Sequence, residues 1–257
     1  MSYRFLPGLC MVLALPAFSA DPQLVFDRGL PQANLNNSSG SARSNVRWGW
    51  YHQGFLGDDF TIGRPGEHWV IDSIRTWAVP GVEGAVFPHL GDYYQDVRLH
   101  FGQGDVTPVS SAQLKAGSDE TSSPNIQVTD ASQNGAQTYD DFGTPLHIFQ
   151  IDFTNLNLAV DGGVKYRFGV WGNGRPDPGA TDEGKVFSWY NHASNAGLSG
   201  SRQDGADGRM LLFDAAGRSE GEHNAEGNGW DKTADINVQV FAHRVESSQA
   251  TAATALR

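Results

Sequence analysis

The chain of 257 residues carries 18 Lys plus Arg against 29 Asp plus Glu, a formal net charge of −11. Long-range repulsion from that charge disfavours nucleic acid and anionic polysaccharide as partners, although a local basic groove can override the average. The one cysteine, Cys10, lies in a segment expected to be removed, which excludes a disulfide and a thiol nucleophile from the mature product.

Residues 1–20 read as a secretory signal peptide. Arg4 supplies the positive start, the run from Leu9 to Leu15 the apolar core, and Phe18-Ser19-Ala20 a small-residue cleavage junction. The apolar run is too short to span a bilayer, and no later stretch is apolar enough to do so. The expected product is therefore secreted, extracellular or periplasmic, with no membrane insertion. Cleavage after Ala20 leaves Asp21 first, which argues against a copper brace built on an N-terminal histidine. Residues 21–245 are expected to form one domain, and 246–257, small and polar, a disordered tail.

Along the mature chain, short β-branched and aromatic runs alternate with Gly, Pro, Asn and Asp clusters, and long 3.6-residue periodicity is absent. Strands are expected over Leu24 to Phe26, Gly57 to Ile62, Trp69 to Val79, Asp96 to Gly102, Asn125 to Thr129 and His147 to Phe153. Val164 to Trp171, Val186 to His192, Arg209 to Phe213 and Ile236 to Arg244 follow. Val97, Leu99 and Phe101 should face a core, with Arg98 and His100 opposite. Pro80 to Gln95 and Asp214 to Thr233 read as long connections, the kind that often carry function. About ten strands at this length point to an all-β, two-sheet antiparallel sandwich, jelly-roll-like, with a closed barrel as the alternative. The strand near Phe26 is expected to pair with the last one around Val240.

The motif order Val25-Phe26-Asp27-Arg28-Gly29-Leu30-Pro31, Leu56-Gly57-Asp58-Asp59-Phe60-Thr61-Ile62, Trp69 to Trp77 and Ala234-Asp235-Ile236-Asn237-Val238-Gln239-Val240-Phe241 resembles the globular domain of secreted bacterial jelly-roll proteins carried ahead of PEP-CTERM and related choice-of-anchor sorting signals. The resemblance implies a fold more than an activity. It departs at the C-terminal end, which has no Pro-Glu-Pro signal and no hydrophobic helix, so it does not support surface anchoring.

Candidate sites follow from residue chemistry. Sugar rings present C–H faces to aromatic planes and hydroxyls to polar side chains. Trp48-Gly49-Trp50-Tyr51-His52-Gln53 therefore offers either a stacking platform or core, as does Trp189-Tyr190-Asn191-His192. Trp230 and Tyr93-Tyr94 lie in expected loops, where a large ring needs a pocket or a ligand. The ligand-binding set is thus Trp50, His52, Tyr93, Tyr94 and Trp230, with a carbohydrate or other cell-surface glycan as partner. Turn-rich carboxylates, chiefly Asp177 with Asp182 and Glu183, can wrap a structural Ca²⁺ or simply make turns. The eight histidines show no metal-ligand spacing, and no Gly-x-Ser-x-Gly or His-Glu-x-x-His run is present. A carboxylate pair drawn from Glu67, Glu83, Asp92, Asp96, Glu183 or Glu226, or a Tyr93, His89 and Arg98 group, would give a polysaccharide hydrolase or lyase. The leading expectation is a secreted noncatalytic module that binds carbohydrate or another cell-surface ligand; the alternative is such an enzyme, and a further alternative is a structural envelope or matrix protein.

Overall fold

Alternation of core-facing and outward-facing residues builds the principal strands. The computed structural model describes residues 21–29, 54–80, 85–134, 138–139, 145–179, 184–192, 202–224 and 235–245. The expected signal peptide and tail lie outside them. In chain order the elements are β1 (Gln23–Asp27), β2 (Gly54–Thr61), β3 (His68–Ala78), a single helical turn α1 (Leu90–Tyr93), β4 (Asp96–Gly102), β5 (Thr107–Gln113) and β6 (Ile126–Asp130). A 3₁₀ turn (Ala131–Asn134) precedes β7 (Thr138–Tyr139), β8 (Pro145–Leu146), β9 (Phe149–Phe153), β10 (Leu158–Asp161), β11 (Lys165–Trp171), β12 (Arg209–Asp214), β13 (Ser219–Asn224) and β14 (Val238–Val245).

Two antiparallel sheets result, ordered β1-β14-β3-β9-β6, with β10 also on β3, and β13-β12-β2-β11-β4-β5; β7 and β8 form a separate small pair. The molecule is the expected all-β sandwich. Phe26 pairs with Val240 across β1 and β14, so the first and last described strands are neighbours. Between the sheets lie Leu56, Phe60, Leu99, Phe101, Phe168 and Val170 from one side and Phe26, Ile74, Ile151, Phe153 and Val240 from the other. Phe60 touches rings from both sheets, with centroids 5.6 Å from Phe26 and 6.0 Å from Phe168.

Besides the two-residue β7 and β8, three strands escape the apolar-run reading. β5 and β13 are edge strands rich in Ser, Gln, Glu and Asn, and β10 is a short addition to β3. Edges need no apolar alternation because one rim and one face meet water. Conversely, Val186 to His192 is not a ladder strand. It runs as a connection tied down by isolated bridges, Pro176 to Val186 and Ala78 to Asn191.

Candidate functional site

The outward face of the second sheet carries the densest unexplained chemistry among the described residues. On β4, β11 and β2 the outward positions are Arg98 and His100, Arg167, Gly169 and Trp171, and Phe55, Gly57 and Asp59. Strand register aligns Phe213, Phe55, Trp171 and Arg98 in one row, and Leu211, Gly57, Gly169 and His100 in the next. The first row requires glycine at 169, and the backbone of β11 requires it at 57. A Cβ on Gly169 would stand 2.5 Å from a Phe55 ring carbon, and one on Gly57 would stand 2.0 Å from the Phe168 carbonyl oxygen and 2.7 Å from Phe213. Phe55 lies parallel to the Trp171 indole at 5.7 Å, stacks on Phe213 at 5.4 Å and sits 4.6 Å from the His100 ring. Arg98 flanks the indole from the other strand, 5.0 Å from its centroid.

Polar groups frame this aromatic row. Arg98 Nη2 is 2.8 Å from Asp96 Oδ2, and Asp96 also accepts from the Asn173 amide side chain at 2.7 Å. At the opposite end Arg167 Nη1 donates to the Gly104 carbonyl and Ser219 Oγ, both at 3.2 Å. Val106 N–H donates to the Gly217 carbonyl at 2.8 Å, so the β4–β5 loop and the β12–β13 turn meet over Phe55, Leu211 and Phe213. Burial, with Arg98 nearby, lowers the His100 imidazole to about 4, so it is neutral at pH 7. His100 Nδ1, Trp171 Nε1 and Arg167 Nε are buried and have no hydrogen-bond partner among the described residues.

The sequence-derived candidates fall elsewhere. Tyr93 and Tyr94 are 0% exposed, which corrects their reading as loop aromatics offered to a ligand. Tyr93 ends the α1 turn, its hydroxyl donating to the Phe87 carbonyl at 2.9 Å with its ring 5.0 Å from Phe187. Tyr94 donates to the Ser188 carbonyl at 2.7 Å and packs 4.5 Å from Trp189. The pair pins two long connections together, and burial pushes both phenols above their usual range. Trp189 to His192 are buried as well, the core alternative. Trp50, His52, Trp230, Asp182 and Glu183 lie outside the described residues. Asp177 accepts the Gly179 amide at 2.9 Å, an Asx turn. Tyr93, His89 and Arg98 each have separate partners: Phe87, Asp119 at 3.3 Å, and Asp96.

Three motifs that carried the resemblance converge on one buried point. Arg28 Nη1 lies 2.7 Å from Asp58 Oδ2, Nη2 donates to the Asp59 carbonyl at 2.6 Å, and Nε to the Asp204 carbonyl at 3.1 Å. Asp58 Oδ2 accepts the Ile236 amide at 3.0 Å, Asp235 accepts the Asp207 amide at 2.7 Å, and Asn237 donates to the Arg28 and Gly29 carbonyls at 3.0 and 2.9 Å. Burial pushes Asp58 well above the ordinary carboxylate range against the pull of Arg28, and burial pushes Asp235 to about 6. Asp58 is 1% exposed and Asp235 0%, so these carboxyls join strands and do not face a substrate.

A Ser, His and Asp group also forms, in the wrong order for acyl transfer. His147 Nδ1 lies 3.0 Å from Asp130 Oδ2, and Ser132 turns its hydroxyl to the same carboxylate and its amide to Oδ1 at 3.0 Å. Ser132 Oγ also lies 3.3 Å from the same His147 Nδ1, whereas a hydrolytic triad needs serine and aspartate on opposite nitrogens of the imidazole. Here Asp130 is central and caps the 3₁₀ turn; burial raises its pKa, but bonds from Ser132 and His147 outweigh this and hold it below its ordinary value. No family model, curated protein or solved structure matches the chain.

Proposed function

We propose that this protein is a secreted, noncatalytic sandwich module that binds carbohydrate or another cell-surface ligand on the outward face of its second sheet. One observation carries the reading: buried, unpartnered nitrogens of His100 and Trp171 occur together on that face, beside Arg98, Asp96 and Asn173. A buried polar group without a partner costs about 1–3 kcal/mol, a cost that bound ligand oxygens would relieve. Both flanks of the Trp171 ring are occupied, by Phe55 and Arg98, so recognition runs through the polar edge of the indole and not through a free stacking face. The carboxyls driven toward neutral pKa are sealed around Arg28, which favours binding over hydrolysis. Export rests on the N-terminal segment, and the relationship to anchored jelly-roll domains on the motifs joined at Arg28. Calcium at Asp177, Asp182 and Glu183 would act as a structural ion.

A glycan array with and without EDTA, followed by product analysis on each hit, tests the reading. Binding without released oligosaccharide is the expected result. Released products would replace the module with an enzyme, and silence on every glycan would leave a structural envelope or matrix protein. Loss of signal in EDTA alone would show that the ligand site depends on a cation.

A further inference from the structure

We propose that the outward face of β4 and β11 contains a subsite for an uncharged hydroxyl of a saccharide, held between the Trp171 indole N–H and Nδ1 of His100. This rests on the carbohydrate-binding reading and names the chemical class that the site takes. The two residues belong to adjacent rows of neighbouring strands, and their ring centroids are 6.4 Å apart. His100 is 2% exposed, and its ring is fixed by Phe55 at 4.6 Å.

Donor and acceptor chemistry selects the group. An indole nitrogen only donates, whereas Nδ1 of a neutral imidazole donates in one tautomer and accepts in the other. A hydroxyl donates one hydrogen bond and can accept two, so it accepts from Trp171 and either donates to or accepts from His100 Nδ1, according to the tautomer. A carboxylate only accepts, and it would need a cation as well. The nearby cations are already engaged: Arg98 with Asp96 at 2.8 Å, and Lys165 with Asp59 at 2.9 Å. Arg167 stands at the far end of the same face, directed to Gly104 and Ser219. An uncharged glycoside is therefore preferred over a uronate, with Arg98 kept on Asp96 beside the indole.

The test uses the full chain with ¹⁵N label, the Trp171 indole signal being identified with Trp171→Phe. Probes are the methyl glycosides of glucose, galactose and mannose, with sodium glucuronate as the charged comparison. The expected result is that a neutral glycoside moves both the Trp171 indole and His100 imidazole signals. His100→Phe, which keeps the ring stack, should then weaken binding about tenfold, and His100→Gln should restore part of it. A response to glucuronate alone overturns the hydroxyl assignment. Binding that leaves Trp171 unmoved, or a positive glycan array with no probe moving it, overturns the subsite while the module reading stands. Silence of both array and probes overturns the two together. Should His100→Phe not fold, the wild-type nitrogen shifts decide.

Discussion

Arg28 shows how far a single side chain can integrate distant sequence. Its three nitrogens each meet a different partner, Asp58, the Asp59 carbonyl and the Asp204 carbonyl. Lysine carries its three donors on one nitrogen and cannot reproduce the planar fork that reaches partners on three sides. Arg28→Met leaves Asp58 and Asp235 buried without a counterion and should cost about 3–5 kcal/mol in urea unfolding. The surplus of carboxylate has its own consequence. An unfolded aspartate titrates near 3.8, whereas folded Asp235 keeps its proton to about 6. Between those values the native state binds more protons, so stability falls as pH rises through the window, and the loss is complete above it. At ~1.36 kcal/mol per unit the loss from Asp235 is about 3 kcal/mol. Asp235→Asn keeps an oxygen for the Asp207 and Gly208 amides and removes the charge. Relative to wild type it should gain about that much stability between about pH 4 and about pH 7. An offset that stays constant across the range would show that Asp235 is ionised in the fold. In the sequence Asp58 and Asp235 read as ordinary turn and strand residues, because their shared counterion, Arg28, is distant from both along the chain and leaves no local pattern.

Strands are legible where bulky apolar side chains line the buried face and obscure where small or polar ones do. β4, β9, β11 and β14 alternate and stand where alternation puts them, whereas the polar edges β5 and β13 offered no periodicity to read. Tyr93 and Tyr94 were misplaced for a related reason: loop composition marks a connection but not the hydroxyl bonds that anchor it inside. Alternation puts His100 on the outward face, yet its burial beside the Phe55 and Trp171 rings of neighbouring strands leaves no trace in the local sequence. The glycine pair on β2 and β11 gives this layer a sharp test. Gly169→Ala collides mainly with the edge of the Phe55 ring, and Gly57→Ala with the backbone oxygen of Phe168. Each should destabilise by about 1–3 kcal/mol or more. Phe55→Leu should rescue Gly169→Ala in a double-mutant cycle, whereas Phe213→Leu should leave Gly57→Ala unrelieved, since backbone cannot rotate away. Equal rescue at both positions would mean that the aromatic layer, and not strand spacing, sets both clashes.

Across the whole molecule, β1 does more than extend an edge. It pairs with β14 through Phe26 and Val240, inserts Phe26 against Phe60 between the sheets, and delivers Arg28 to carboxyls from β2 and the approach to β14. The meeting of the first and last described strands is expected because domains often bring their termini together; the ionic reason for it is not written in either strand. Both sheets share one core, so loss of this strand should be felt in each. Deleting residues 21–29 removes the only guanidinium paired with Asp58 among the described residues and exposes the β14 edge. The expected outcome is loss of the cooperative thermal transition in near-ultraviolet circular dichroism, with strand signal retained in the far ultraviolet. A synthetic peptide of residues 21–29 added in trans should restore the transition, because it supplies both the ladder and the charge. The same peptide with Arg28→Ala should fail, since the backbone pairing alone leaves Asp58 and Asp235 uncompensated. Equal rescue by both peptides would assign the role of β1 to its edge pairing with β14 and to Phe26, and leave Arg28 a passenger.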